Sequence, residues 1–102
     1  MEEYTVKIDN EGNIQWLQNG RYHRIGGPAV EYTDGYKAWY REGKLHRLDG
    51  PAIEGANGVE EWHIDGKEYS QDEFNEVINP KVKELTVEEI SSLLGYKIKI
   101  VG

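Results

Sequence analysis

The 102 residues contain no cysteine. Disulfides and thiolate metal sites are excluded, and a reducing compartment suits the chain. No apolar run approaches the ~20 residues that a membrane-spanning helix needs. Positive charge is scarce: the net charge is −7, which disfavours general affinity for duplex nucleic acid or an anionic membrane. Met1-Glu2-Glu3-Tyr4 lacks the basic and apolar regions of a signal peptide. A cytoplasmic protein is expected, without membrane or duplex nucleic-acid partners. Serine occurs only at 70, 91 and 92, and histidine only at 23, 46 and 63. Ser70 opens one predicted helix and Ser91-Ser92 fall inside another, so a nucleophilic triad is not expected. There is no His-x-x-His or His-Glu-x-x-His spacing, no phosphate loop and no dinucleotide fingerprint. No metal or other cofactor is therefore expected. Phenylalanine occurs once, against seven Tyr and three Trp. Such amphipathic rings suit a thin, half-exposed sheet.

What the chain does have is internal repetition. Trp16, Trp39 and Trp62 are 23 residues apart, as are Gly20, Gly43 and Gly66, and Gly12, Gly35 and Gly58. His23-Arg24 returns as His46-Arg47, and Gly27-Pro28-Ala29-Val30-Glu31 returns as Gly50-Pro51-Ala52-Ile53-Glu54. The third copy stops early, with Tyr69-Ser70 in the His-Arg place. The length fits one domain with a single modest core, residues 1–102. Residues 1–70 form its repeated β-part; residues 71–102 form a helical cap and a last strand.

Alternation of Tyr4, Val6 and Ile8 with Thr5, Lys7 and Asp9 predicts a first strand with one buried face. Asn19-Gly20, Asp34-Gly35, Asn57-Gly58, Asp65-Gly66 and the weaker Glu42-Gly43 are hairpin turn signals. Their regular spacing predicts an antiparallel β-meander of six or seven strands. A two-residue loop at Asp34-Gly35 would set Val30 across from Trp39. Val30, Tyr32 and Trp39 would then share one face, and Tyr36, Ala38 and Tyr40 the other. Pro28 and Pro51 cannot donate to a ladder, so they belong at strand starts or edges. The His-Arg pairs then fall in the connection before each Gly-Pro bend, or on a third short strand with Trp16 across from His23 and Trp39 across from His46. Ser70-Gln71-Asp72-Glu73 caps a helix over Gln71–Ile78 with Phe74, Val77 and Ile78 as its apolar face. Thr86-Val87-Glu88-Glu89 caps a second helix that Gly95 ends, and Tyr96 to Val101 reads as a final strand. The fold class is thus mainly β (α+β), with the two helices covering the sheet.

His23, Arg24, His46 and Arg47 are the leading candidates for chemistry. Arginine offers a planar fork of donors for phosphate or carboxylate. Trp16, Trp39, Tyr22 and Tyr40 could stack a base beside it. Together these eight residues are the expected ligand-binding set, with no catalytic residue among them. The structural alternative is that His and Arg satisfy carbonyls at the Gly-Pro bend and pair with Asp49 or Glu31. His63 replaces the Leu17 and Tyr40 of earlier copies; it is either a solvent-facing substitution, the expected case, or a local specialisation.

The 23-residue step, the His element, the Asp-Gly turn and the Trp together resemble MORN repeats, hairpins that stack into a single-layer sheet. The match covers roughly residues 4–70. Arg24 and Arg47 stand where that family usually has Gly after His. The His-Arg-x-x-Gly-Pro-Ala form is closer to a variant in small phage and plasmid proteins. Those often end in a segment similar to Glu84-Leu85-Thr86-Val87-Glu88-Glu89-Ile90 and Leu94-Gly95-Tyr96-Lys97. The resemblance implies a phage or mobile-element accessory protein acting in the host cytoplasm, with counter-defence as its expected role. Lacking a catalytic constellation, the chain reads as a non-enzymatic binding protein that blocks or sequesters a host component. Its partner would be a host protein or a small nucleotide-like anion. The runners-up are a self-assembling, homo-oligomeric scaffold and a small nuclease using His23 and His46 as acid and base.

Overall fold

The computed structural model describes residues 3–80. Within them the chain is mainly antiparallel β-sheet with one helix. The expected second helix and final strand lie outside the described residues. Ten short strands run in order: β1 Thr5–Ile8, β2 Ile14–Gln18, β3 Arg21–Tyr22, β4 Val30–Glu31, β5 Lys37–Ala38, β6 Tyr40–Arg41, β7 Lys44–Leu45, β8 Ile53–Glu54, β9 Glu60–Ile64 and β10 Lys67–Tyr69. The helix α1, Gln71–Ile78, follows. It is not long and apolar enough to cross a membrane.

Two kinds of turn connect these strands. At Asn19-Gly20, Glu42-Gly43 and Asp65-Gly66 both residues have positive φ, so each is a two-residue hairpin loop of the mirror-image type. At Asp34-Gly35 the loop has three residues instead. Tyr32 N–H donates to Tyr36 O at 2.8 Å and Gly35 N–H to Tyr32 O at 3.0 Å. Gly35, at φ +100, takes the left-handed position of a bulged loop. Gly55–Val59 and Asp9–Asn13 are closed by the same pair of bonds. The extra residue shifts the expected register by one: Val30 faces Ala38, not Trp39. A one-residue slip exchanges faces, so Val30, Tyr32, Tyr36, Ala38 and Tyr40 share one side and Trp39 lies on the other. Tyr32 and Tyr36 stack across the strands at 5.3 Å.

The sheet is forked rather than a plain meander. Its main path is β1-β2-β4-β5-β8-β9-β10, with β3 also on β2 and β6–β7 as a separate hairpin. Trp16 marks the fork. Its N–H donates to Ala29 O at 2.7 Å and its C=O accepts from His23 N–H at 3.1 Å. Both groups of one strand residue point to the same edge, so β3 and β4 share that edge and residues 24–28 leave the sheet between them. Trp39 makes the corresponding bonds, to Ala52 O at 2.8 Å and from His46 N–H at 3.0 Å. The histidines thus continue a short strand opposite the tryptophans, the second of the two sequence-based placements.

Burial is slight, as the composition implies. Among the described residues the buried apolar ones are Ala29, Val30, Ala38, Ala52 and Phe74. The register places Ala29 between Trp16 and Trp39, and Ala52 between Trp39 and Trp62, in one row across the Trp face. β1 departs from expectation. All four of its residues are exposed, including Val6 and Ile8, because it is an edge strand whose apolar side meets no cover among the described residues. α1 forms as the sequence predicts: Glu73 N–H donates to Ser70 Oγ and Ser70 N–H to Glu73 Oε1. Those bonds, the Ser70 N–H first, hold the Glu73 carboxyl below the usual range. α1 packs on β9 and β10. Phe74 is its buried residue, Val77 is half exposed, and Phe74 and Ile78 line a crevice with Trp62. The helix begins where a third arginine would follow the histidine place, and it covers the third tryptophan.

Candidate functional site

Each arginine of the His-Arg pairs lies flat on the tryptophan of its own copy. Arg24 Cζ is 4.1 Å from the Trp16 ring centroid, and Arg47 Cζ is 3.8 Å from that of Trp39. The other side of each guanidinium rests on a glycine. A Cβ at Gly27 would lie 2.8 Å from Arg24 Cζ, and one at Gly50 would lie 2.9 Å from Arg47 Cζ. The Gly in Gly-Pro-Ala therefore leaves room for the cation. The guanidinium then closes its own loop: Arg24 Nη1 donates to Pro28 O at 3.1 Å, and Arg47 Nη1 to Pro51 O at 3.0 Å. Arg47 is held further by Asp49 at 2.9 Å and Glu54 at 3.0 Å. Among the described residues Arg24 has only Glu31 as an acid partner, at 4.0 Å. Arg47's hydrogen bond keeps the Asp49 carboxyl below the usual range.

The histidines reach forward along the chain. His23 Nδ1 accepts from Glu42 N–H at 2.9 Å, and His46 Nδ1 from Asp65 N–H at 3.1 Å. Each ring thus caps the turn of the next two-residue hairpin. His23 is buried, stacked on Tyr4 at 6.0 Å, and its Nε2 has no hydrogen-bond partner among the described residues.

Between the two Gly-Pro loops runs an open groove of about 400 Å³. Arg24, Trp39, Arg41, His46, Arg47 and Asp49 line it. Its lining carries three guanidinium groups and one carboxylate; Arg24 and Arg47 are paired with Glu31, Asp49 and Glu54, and Arg41, unpaired among the described residues, is the donor that an anion would meet. Of the eight residues singled out from sequence, it brings together Arg24, His46, Arg47 and Trp39. Trp16 and His23 sit one copy earlier. Tyr22 and Tyr40 lie on the opposite face, against each other at 5.2 Å; burial, then Tyr22, push the Tyr40 hydroxyl pKa up. Arg41 is a groove residue that sequence reasoning missed. It is exposed, makes no ion pair among the described residues, and follows Trp39 by two, which puts it on the Trp face. That Trp-x-Arg alternation was the available signal.

His63 is not solvent-facing as expected. It is 8 % exposed, on the face opposite Trp62, with Nε2 3.2 Å from Glu61 Oε1 and 3.7 Å from Glu68 Oε2.

No family model matches the chain, and neither a curated protein nor a solved structure shows significant similarity to it.

Proposed function

We propose that the chain is a non-enzymatic accessory binding protein of phage type, built from MORN-like repeats, that sequesters a host component in counter-defence. The component is a small nucleotide-like anion in the host cytoplasm, held in the groove between the two Gly-Pro loops. The observation that carries this reading is the convergence of Arg24, Arg41 and Arg47 beside Trp39 in one groove. Its volume is within the range of small-molecule sites. Arg24 and Arg47 are already bonded within their loops and paired with acids, so they shape the groove. Arg41 is uncommitted among the described residues and supplies the fork that closes on phosphate. Leu48, half exposed at the rim, offers an apolar surface for a base. His23 and His46 spend Nδ1 on backbone amides, a capping role that supports binding over acid–base chemistry.

Isothermal titration with mononucleotides and cyclic dinucleotides tests it. At least one should bind, and Arg41→Ala should weaken it tenfold or more while the melting temperature holds. Absence of binding across the panel, or equal binding by Arg41→Ala, would remove the proposal. A second reading, self-assembly, is supported by the exposed edge strand β1.

A further inference from the structure

The internal repetition provides a control for a place where three neighbouring positions become metal-ligating types together. Glu61, His63 and Glu68 occupy positions held by Gln15, Leu17 and Tyr22 in the first copy, and by Ala38, Tyr40 and Leu45 in the second. In the first two copies the positions of His63 and Glu68 are apolar or aromatic, and no position of either trio is charged. In the third copy all three become metal-ligating types at once. They are also neighbours in space. Glu61 and His63 are two apart on β9, hence on one face. Glu68 on β10 stands directly opposite His63.

The three side chains converge. Their ligand atoms lie within 4.8 Å of one another. His63 Nε2 is 3.2 Å from Glu61 and 3.7 Å from Glu68. Ligands about 2.0–2.2 Å from a four-coordinate zinc are about 3.3–3.5 Å apart, so the nitrogen–oxygen spacings need little adjustment. His63 is more than nine-tenths buried and aims Nε2 between the carboxylates, while its Nδ1, on the other side of the ring, has no hydrogen-bond partner among the described residues. Two carboxylates brought this close repel unless a cation sits between them. The hairpin that carries them is closed by the Asp65-Gly66 turn, which fixes the geometry before any ion arrives.

We propose that Glu61, His63 and Glu68 form a binding site for a first-row divalent transition cation such as Zn²⁺. One imidazole nitrogen and two carboxylates suit that class better than Mg²⁺ or Ca²⁺, which favour all-oxygen shells. Three protein ligands on an open sheet face leave at least one coordination position for water or an incoming donor. The site is on the face opposite the arginine groove, so it stands or falls independently of the function proposed above.

Isothermal titration of the full chain with ZnCl₂ and, separately, MgCl₂ tests the assignment. One Zn²⁺ per chain should bind, at least tenfold more tightly than Mg²⁺, and raise the melting temperature. His63→Leu restores the residue of the first copy and should retain the fold while weakening Zn²⁺ at least tenfold. Glu68→Gln alters an exposed side chain, should weaken Zn²⁺ by a similar factor, and decides the matter if His63→Leu does not fold. Zn²⁺ binding no tighter than Mg²⁺, or unchanged in Glu68→Gln, would overturn the site and leave a plain His–Glu ion pair.

Discussion

A guanidinium pressed between an indole and a glycine is the smallest unit that this molecule repeats. Its contacts differ between copies in a way that can be measured. Arg47 has a stacked ring, a carbonyl and two close carboxylates; Arg24 has a ring, a carbonyl and one carboxylate at 4.0 Å. Hydrogen bonds to charged groups contribute about 1.5–3 kcal/mol and a partly exposed cation–π contact about 0.5–1 kcal/mol. Arg24→Ala should therefore cost about 2–4 kcal/mol in urea unfolding, and Arg47→Ala about 1–2 kcal/mol more. Equal costs would show that the carboxylates contribute nothing. The His-Arg pairs were legible in the sequence because they recur, and the bend carbonyls and Asp49 were among the partners foreseen, whereas Glu54 was not. Arg41 and His63 were not legible as site residues. Each stands alone where the other copies have Gln18 and Ile64, or Leu17 and Tyr40, and a single departure cannot be told from drift until its neighbours are known.

At the scale of elements, the molecule is made by alternating two loop lengths. The sequence announces both with the same letters, Asn-Gly or Asp-Gly, and that is why the register around Asp34-Gly35 comes out one residue from the expectation. What separates them is the closing pair: Gln18 with Arg21 around a two-residue loop, but Tyr32 with Tyr36 around a three-residue one. Glu42 is the weak member of the short class. It holds φ +51 where the equivalent positions have Asn19 and Asp65, residues that tolerate this conformation better. Its backbone N–H, not its side chain, meets His23. Glu42→Asn should thus stabilise by about 0.5–1 kcal/mol, read as a melting temperature higher by roughly 3–6 °C. A lower melting temperature would show that the Glu42 side chain has a role beyond the turn. α1 was the most legible element, because its capping residues lie beside one another in the chain.

At the scale of the whole molecule, strand content and the antiparallel arrangement followed from turn spacing, whereas the fork did not. Two strands on one edge of a third leave no mark on periodicity; they follow from where each loop leaves the sheet. Among the described residues the sheet is also left with an exposed outer strand, β1, carrying Val6 and Ile8 in the open. Such edges pair with one another. Sedimentation velocity should show reversible self-association, and Val6→Lys with Ile8→Lys should weaken it at least tenfold. A single monomeric boundary at every concentration up to about 1 mM would discard the assembly reading. One further property follows from the forward reach of the histidines. The amide of residue 42 is capped by His23, and that of residue 65 by His46. Support is lent forwards, from earlier residues to later ones. Losing an early copy uncaps the hairpin turn that follows it, while losing the last hairpin leaves the His23 cap in place.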